Sequence, residues 1–295
     1  MTRRSYAYLA LMLVAAMFGV TFVFVKSALD VIPPLAFVGW RFFIGAVVLF
    51  VVGRPWGRAV WRDGTIAGIA LFIGYATQTI GLELTSATNS GLITGLYVVF
   101  TPLIAAIARR TSPAIATIAG ASMSIVGLGA LTVTDTFTLE SGDVWTLACA
   151  VAFAFHIVIL AYLAPRHEVL PFTAVQLGFV AAAALALSAI VDGGLPIPSA
   201  EAWPTLIITG LLVTAGAFLM QVWSQQIIGP SRTAIILAVE PLFAVITAGL
   251  VLGERLDVRG WIGAGLMIAG TYVVLVFAPP EDADIRTAEA LSEAH

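Results

Sequence analysis

Long apolar runs broken by short polar interruptions organise this chain. Ten windows, at about 6–25, 34–52, 65–84, 90–108, 113–133, 144–164, 171–191, 203–228, 233–252 and 258–277, carry almost no charge. A hydrocarbon core about 30 Å thick takes about 20 apolar residues in helical form, so each window predicts a membrane-spanning helix. The longest interruptions are 53–64, 134–143, 192–202 and an acidic tail from 278 to 295, none long enough for a second domain. Composition agrees, since 60% of the 295 residues are hydrophobic and 11% are charged. A soluble domain carries about 25% charged residues, so too little polar surface is present to cover a soluble core. The run after Arg4 has the length of a span and no clear small-residue cleavage site, which reads as a first helix rather than a cleaved signal. The expected fold is all-α and integral to the membrane.

The net charge of -3 says little, but its distribution along alternating loops says more. One set of loops and termini collects Arg3, Arg4, Arg54, Arg58, Arg62, Arg109, Arg110, Arg166, Arg232 and Arg286, and the other only Lys26, Arg255 and Arg259. Cationic loops stay on the cytoplasmic side, so both termini are expected in the cytoplasm. Cys149, the single cysteine, excludes an intrachain disulfide.

Sliding the chain by 143 residues lays 74–133 on 217–276 without a gap and brings Gln78 onto Gln221, Gly120 onto Gly263, Gly127 onto Gly270 and Tyr97 onto Glu240. An offset of 137 brings Pro34 onto Pro171 and Phe42 onto Phe179. The glutamine match matters most, because amides are costly in hydrocarbon and rare there. The chain therefore divides into a five-helix repeat at 1–133, a connector at 134–143, a second five-helix repeat at 144–278 and a cytoplasmic tail at 279–295. With five helices per half the second repeat is inverted, an arrangement common among transporters with a site near the midplane.

Three stretches, FGVTFVFVKSALDVIPPLAFVGWRF, GLELTSATNSGLITGLYVVFTPLIAA and SQQIIGPSRTAIILAVEPLFAVITAGLVLGERLDVRGWIGAGLMIAG, resemble EamA-type members of the drug/metabolite transporter superfamily. The likeness covers nearly the whole chain, with the EP and GER segments of the second half carrying most of it. It implies ten helices in inverted repeats, cytoplasmic termini in the inner membrane, and a central cavity through which small metabolites, often amino acids, leave the cell. Phe18 departs from the family, which commonly has tryptophan before the glycine matching Gly19.

Ser90, Thr94, Tyr97 and Thr101 form one polar stripe at helical spacing, Thr233, Glu240 and Thr247 another, and Tyr75 with Gln78 and Phe218 with Gln221 and Gln225 share faces. Such stripes either line a path or hold helices together by hydrogen bonds. The residues expected to contact solute are Trp40, Tyr75, Gln78, Tyr97, His156, Phe218 and Gln221. Arg41 and Glu240 lie deep in their windows, where a charge costs at least about 2.5 kcal/mol unless paired or wet. They are expected to organise or gate the helices, as are Pro102 and Pro241, each of which removes a backbone hydrogen bond. Whether Glu240 touches solute or ties helices together stays open at this stage. Gly120, Gly127, Gly263, Gly265 and Gly270 are expected to pack the fifth and tenth helices closely.

Enzymatic chemistry is not expected. The windows hold one histidine and no HExxH, and no serine with an evident base. His156 has no second histidine or cysteine near it, so no metal is expected, and without a GxxxxGK[ST] loop no nucleotide cofactor is either. The expected partners are a small amphipathic solute, with aromatic side chains favoured, and the lipid bilayer. Nucleic acid is not expected, and the chain is read as a monomer or weak homodimer. A passive facilitator or channel, and behind it multidrug efflux, are the competing readings of an alternating-access exporter.

Overall fold

The computed structural model describes residues 2–54, 57–132 and 140–277. Most of the expected connector and the acidic tail at 279–295 therefore lie outside the described residues. Helices α1 Arg3–Ala28, α2 Pro34–Gly53 and α3 Arg58–Leu84 follow the first three apolar windows. The fourth window divides into α4 Ala87–Thr94 and α5 Tyr97–Ala108, and the fifth forms α6 Ile115–Thr132. Helix α7 Ser141–Leu163 starts inside the expected connector and is followed by α8 Val169–Val191. The eighth window runs through α9 Trp203–Ile208, a π-helical stretch Thr209–Ala217 and α10 Phe218–Gln225. The ninth divides into α11 Pro230–Leu237 and α12 Glu240–Thr247 with a π-helical end at Ala248–Leu252, and α13 Val258–Phe277 closes the described chain.

Among the described residues seven stretches are long and apolar enough to cross a membrane, namely Arg3–Ala28, Pro34–Gly53, Arg58–Leu84, Ala87–Ala108, Ser141–Arg166, Val169–Val191 and Trp203–Gln225. Two shorter apolar stretches, Ile115–Gly127 and Glu240–Leu252, accompany them. Large apolar side chains such as Leu13, Phe24, Val51, Ile118, Ile190, Leu212 and Ile246 face outward. In water such a coat would be an aggregating surface, whereas lipid welcomes it. The chain is a multi-pass membrane protein.

The fourth and ninth windows were expected as continuous helices disturbed at Pro102 and Pro241, which the 143-residue offset leaves out of step. The interruptions are in step, since Gly95 and Leu96 correspond to Ala238 and Val239; the second lies in the turn before Pro241, the first about two turns before Pro102. Around Gly95 the ladder tightens, with Leu96 N–H bonding Ile93 O at 3.0 Å and Val98 N–H bonding Gly95 O at 3.1 Å. Glycine in a helix interior lacks a side chain to stiffen it, and three-residue hydrogen-bond spacing is the usual tightened form. Pro241 lies in the first turn of α12, where its missing N–H is tolerated, whereas Pro102 is carried inside α5.

Packing places α3 against both α7 and α8, α2 against α8 and the π-helical stretch, and α1 against α12 and α10. Helix α6 packs along α13. Their approach is glycine-mediated, for a Cβ on Gly127 would collide with the backbone O of Gly263, and one on Gly270 with that of Gly120. Gly265, grouped with them on sequence, faces open space instead.

Polar residues tie both ends of α3 to the rest of the bundle. At its C-terminal end Lys26 Nζ donates to the carbonyls of Leu82 at 2.8 Å, Glu83 at 3.1 Å and Thr85 at 2.8 Å, which complements the helix dipole. Beside it, the glutamate of the GER stretch, Glu254, accepts from the N–H groups of Ala87 at 2.9 Å and Thr88 at 2.8 Å, and so caps α4. Toward the other end of α3, Asp63 meets His167 at 2.8 Å, and Gln226 Nε2 donates to the carbonyls of Ala164 at 2.9 Å and His167 at 2.8 Å. Between these two clasps lies the interior where the polar residues of the spans meet.

Candidate functional site

Two adjoining cavities occupy the middle of the bundle and share Phe18, Tyr75, Phe153 and Glu240 in their walls. The first is lined further by Thr21, Phe22, Arg41, Gln78 and Thr79, the second by Tyr97, His156, Phe218 and Gln221. Each has a cavity volume of about 30 Å³, space on the scale of one or two water molecules. Space on this scale is too small for a metabolite, so such a guest requires the surrounding helices to move apart.

Glu240 is buried where α11 gives way to α12. Pro241 has no N–H, so the carbonyl of Leu237 loses its normal helical partner. The hydroxyl of Tyr97, at the matching break between α4 and α5, donates to that carbonyl at 2.9 Å and lies 3.0 Å from Glu240 Oε2. One hydroxyl hydrogen cannot serve two acceptors fully, so it is shared between the Leu237 carbonyl and the Glu240 carboxyl group. The residues that the 143-residue offset superposes are thus in contact, and they join the two interrupted helices at their breaks. Gly19 of α1 makes room for this junction, since a Cβ there would fall on the backbone O of Glu240 and the Cβ of Phe243.

Arg41 is 3% exposed. Its Nε donates to Thr214 Oγ1 at 2.7 Å, and its guanidinium lies 5.2 Å from the centre of the Tyr75 ring. Thr214 belongs to the π-helical stretch, a rare form that recurs at functional sites because its extra residue per turn re-aims side chains. Among the described residues Arg41 forms no ion pair, and its Nη2 has no hydrogen-bond partner.

The amides differ in how far they are satisfied. Gln78, half-buried on the first cavity, reaches Thr94 Oγ1 only at 3.4 Å. Gln221 Nε2 donates to Gln225 Oε1 at 3.2 Å, while its Oε1 is without a partner. His156 Nε2 pairs with Gln176 Oε1 at 2.9 Å, and the imidazole packs edge-on to Phe218. Around them Phe42, Tyr75, Phe153 and Phe218 form a connected aromatic cluster.

The fold therefore gathers Tyr75, Gln78, Tyr97, His156, Phe218, Gln221, Arg41 and Glu240 on the cavity walls. Trp40 is not among them, because its indole N–H donates to Pro196 O at 2.9 Å and its ring packs against Phe43 and Trp203. Pro102 and Pro241 are absent from both linings as well. Passed over on sequence were Thr21, Phe22, Thr79 and Phe153 of the walls, and Thr214 and Gln176 beside them. Gln176 carried a usable signal, an amide inside an apolar window, whereas a threonine or phenylalanine there is unremarkable. Among the described residues no cluster of histidine, cysteine, aspartate and glutamate could hold a metal ion.

Known proteins place this interior in context. A solved crystal structure aligns over 92% of this chain and 98% of its own with a TM-score of 0.67 at 22% identity, a likeness of fold. A protein of Archaeoglobus fulgidus described as an uncharacterized transporter is 32% identical over 274 residues, covering 92% of this chain and 86% of the relative. The uncharacterized transporter YetK of Bacillus subtilis is 23% identical over 293 residues, covering 94% and 89%. The model of the EamA-like transporter family matches twice, at residues 5–133 and 140–276. With an apolar-coated helical bundle, a polar interior and a family match along almost its whole length, this chain belongs to the EamA-like transporter family and is a membrane transporter.

Proposed function

We propose that this chain exports small amphipathic metabolites, amino acids foremost, across the inner membrane by alternating access, with both termini in the cytoplasm. The observation that carries the reading is the pair of small cavities walled by polar and aromatic side chains, lying between the clasps at the two ends of α3. A narrow interior between separable ends is what alternating access needs, whereas a passive pore needs a continuous opening.

Within this reading the bundle is two inverted five-helix repeats. Exchange of the halves accounts for a set of contacts. Gly127 on Gly263 becomes Gly270 on Gly120 under the 143-residue offset, the two helix breaks correspond, and Tyr97 and Glu240 occupy equivalent positions in contact with each other. The double match of the family model supports the same division. The aromatic cluster favours solutes with apolar or aromatic side chains, since such surfaces gain from burial and ring contact.

Gln78 and Gln221, with unspent hydrogen-bonding capacity, are the polar solute contacts. Loss of one hydrogen bond is worth about 0.5–1.5 kcal/mol, so Gln78→Ala and Gln221→Ala should each raise the half-saturating solute concentration about two- to tenfold. Proteoliposomes assayed with a metabolite panel check this, and unchanged transport of every accepted solute by both variants sinks the cavity assignment. Counterflow of labelled solute against an excess on the far side separates alternating access from a channel, which shows none.

A further inference from the structure

We propose that Arg41 is an anion anchor that binds the carboxylate of the transported solute. This rests on the export reading above but names a chemistry that reading leaves open. Arg41 stands about 10 Å into α2 from Pro34 at 1.5 Å per residue, too deep to reach a membrane surface comfortably. A cation so placed normally finds a carboxylate or water. Arg41 instead has the Thr214 hydroxyl and the Tyr75 side chain, which offers both its ring and its hydroxyl, with Nη2 buried and unpartnered.

The fork of a guanidinium presents its donors in a plane that matches the two oxygens of a carboxylate. Thr214 takes the Nε–H and fixes the plane of the fork, and the Tyr75 ring supports one face of it. What is left without an acceptor is Nη2, on a side chain that lines the cavity together with Gln78, Tyr75 and Glu240. Glu240 is the acid of that wall, yet it makes its hydrogen bond with Tyr97 and no ion pair with Arg41. A solute carboxylate therefore finds an oriented donor set with no internal anion to displace. The aromatic side chains Phe18, Phe22 and Phe153 of the same wall suit an apolar body attached to that carboxylate.

The test uses the purified full-length chain, with 3-phenylpropionate, its amide and phenethylamine as probes. Saturable binding is followed by intrinsic fluorescence, and transport is measured in proteoliposomes. Wild type should bind the acid. Arg41→Gln should weaken the acid at least about tenfold, the scale of a lost charged hydrogen bond, and leave the amide within about twofold. Arg41→Lys, which keeps the charge but not the fork, should fall between them and serves as the readout if the glutamine variant does not fold. The proposal is overturned if wild type binds no carboxylate saturably, if the acid binds equally well without the guanidinium, or if acid and amide weaken in parallel, as a purely structural arginine would give. Saturable, Arg41-dependent binding of the acid with no transport of any probe or metabolite would leave the anchor standing and remove the export reading.

Discussion

Glu240→Ala should abolish transport to below about a tenth of wild type, while Glu240→Gln keeps it within about threefold. The difference follows from hydrogen-bond accounting at the junction of the broken helices. Alanine leaves the Tyr97 hydroxyl with the Leu237 carbonyl alone and opens a void on the wall common to both cavities. Glutamine fills the same space and keeps an oxygen that can accept from the Tyr97 hydroxyl at the 3.0 Å contact, as well as an N–H that can donate to it. Tyr97→Phe should resemble alanine in its effect, because it strands a carbonyl that Pro241 has already deprived of its helical donor, and a stranded buried acceptor costs about 1–3 kcal/mol. The double variant Tyr97→Phe/Glu240→Ala should then cost less than the two single effects added, as expected of groups acting on one another. Thermal unfolding in detergent and counterflow read both consequences. Equal damage from glutamine and alanine would mean that an ionised carboxylate matters, and additive single effects would mean that the two residues act apart.

That junction was partly legible in the sequence. The 143-residue offset paired Tyr97 with Glu240 and the polar spacing put each on an inward stripe, but pairing in an alignment does not imply touch. The apolar windows were legible because lipid leaves the backbone few choices, and helices that satisfy every N–H and C=O internally are the simplest. The interruptions were not legible. A tightened turn at Gly95 and a π-helical stretch at Thr209–Ala217 have the same apolar composition as regular helix, so hydropathy cannot separate them. Proline marked one break and not the other, since Pro241 follows the interruption at Ala238 and Val239, whereas Pro102 is absorbed within α5 and glycine marks that break. Arg41 was conspicuous by its depth, yet its threonine partner lies 173 residues away in an element whose geometry changes the facing of every side chain. His156 was expected on the solute path, and only the packing of α7 and α8 together on α3 identifies Gln176 as its hydrogen-bond partner.

Gly19→Leu should unfold or misassemble the bundle, and Gly19→Ala should already lower its thermal stability measurably. Helix α1 approaches α12 so closely at this residue that a single added carbon would meet the backbone O of Glu240, the Cβ of Phe243 and the backbone N of Ala244. None of these is the end of a flexible chain, so relief requires one helix to move bodily. Overpacking of this kind costs about 1–3 kcal/mol, and a leucine asks for several more carbons than the gap holds. Movement of α12 also withdraws Glu240 from Tyr97 and separates the two helix breaks, so transport should fall further than stability alone explains. Gly265→Ala is the matched control, since that glycine faces open space on α13 and alanine is the better helix former by about 1 kcal/mol. It should be neutral or mildly stabilising in the same unfolding assay. If Gly19→Ala proves as harmless as Gly265→Ala, the close approach of α1 to the Glu240 junction does not hold the bundle together. If instead Gly19→Ala folds normally yet loses counterflow, the approach serves motion rather than stability, and α1 is the element that closes against the cavity.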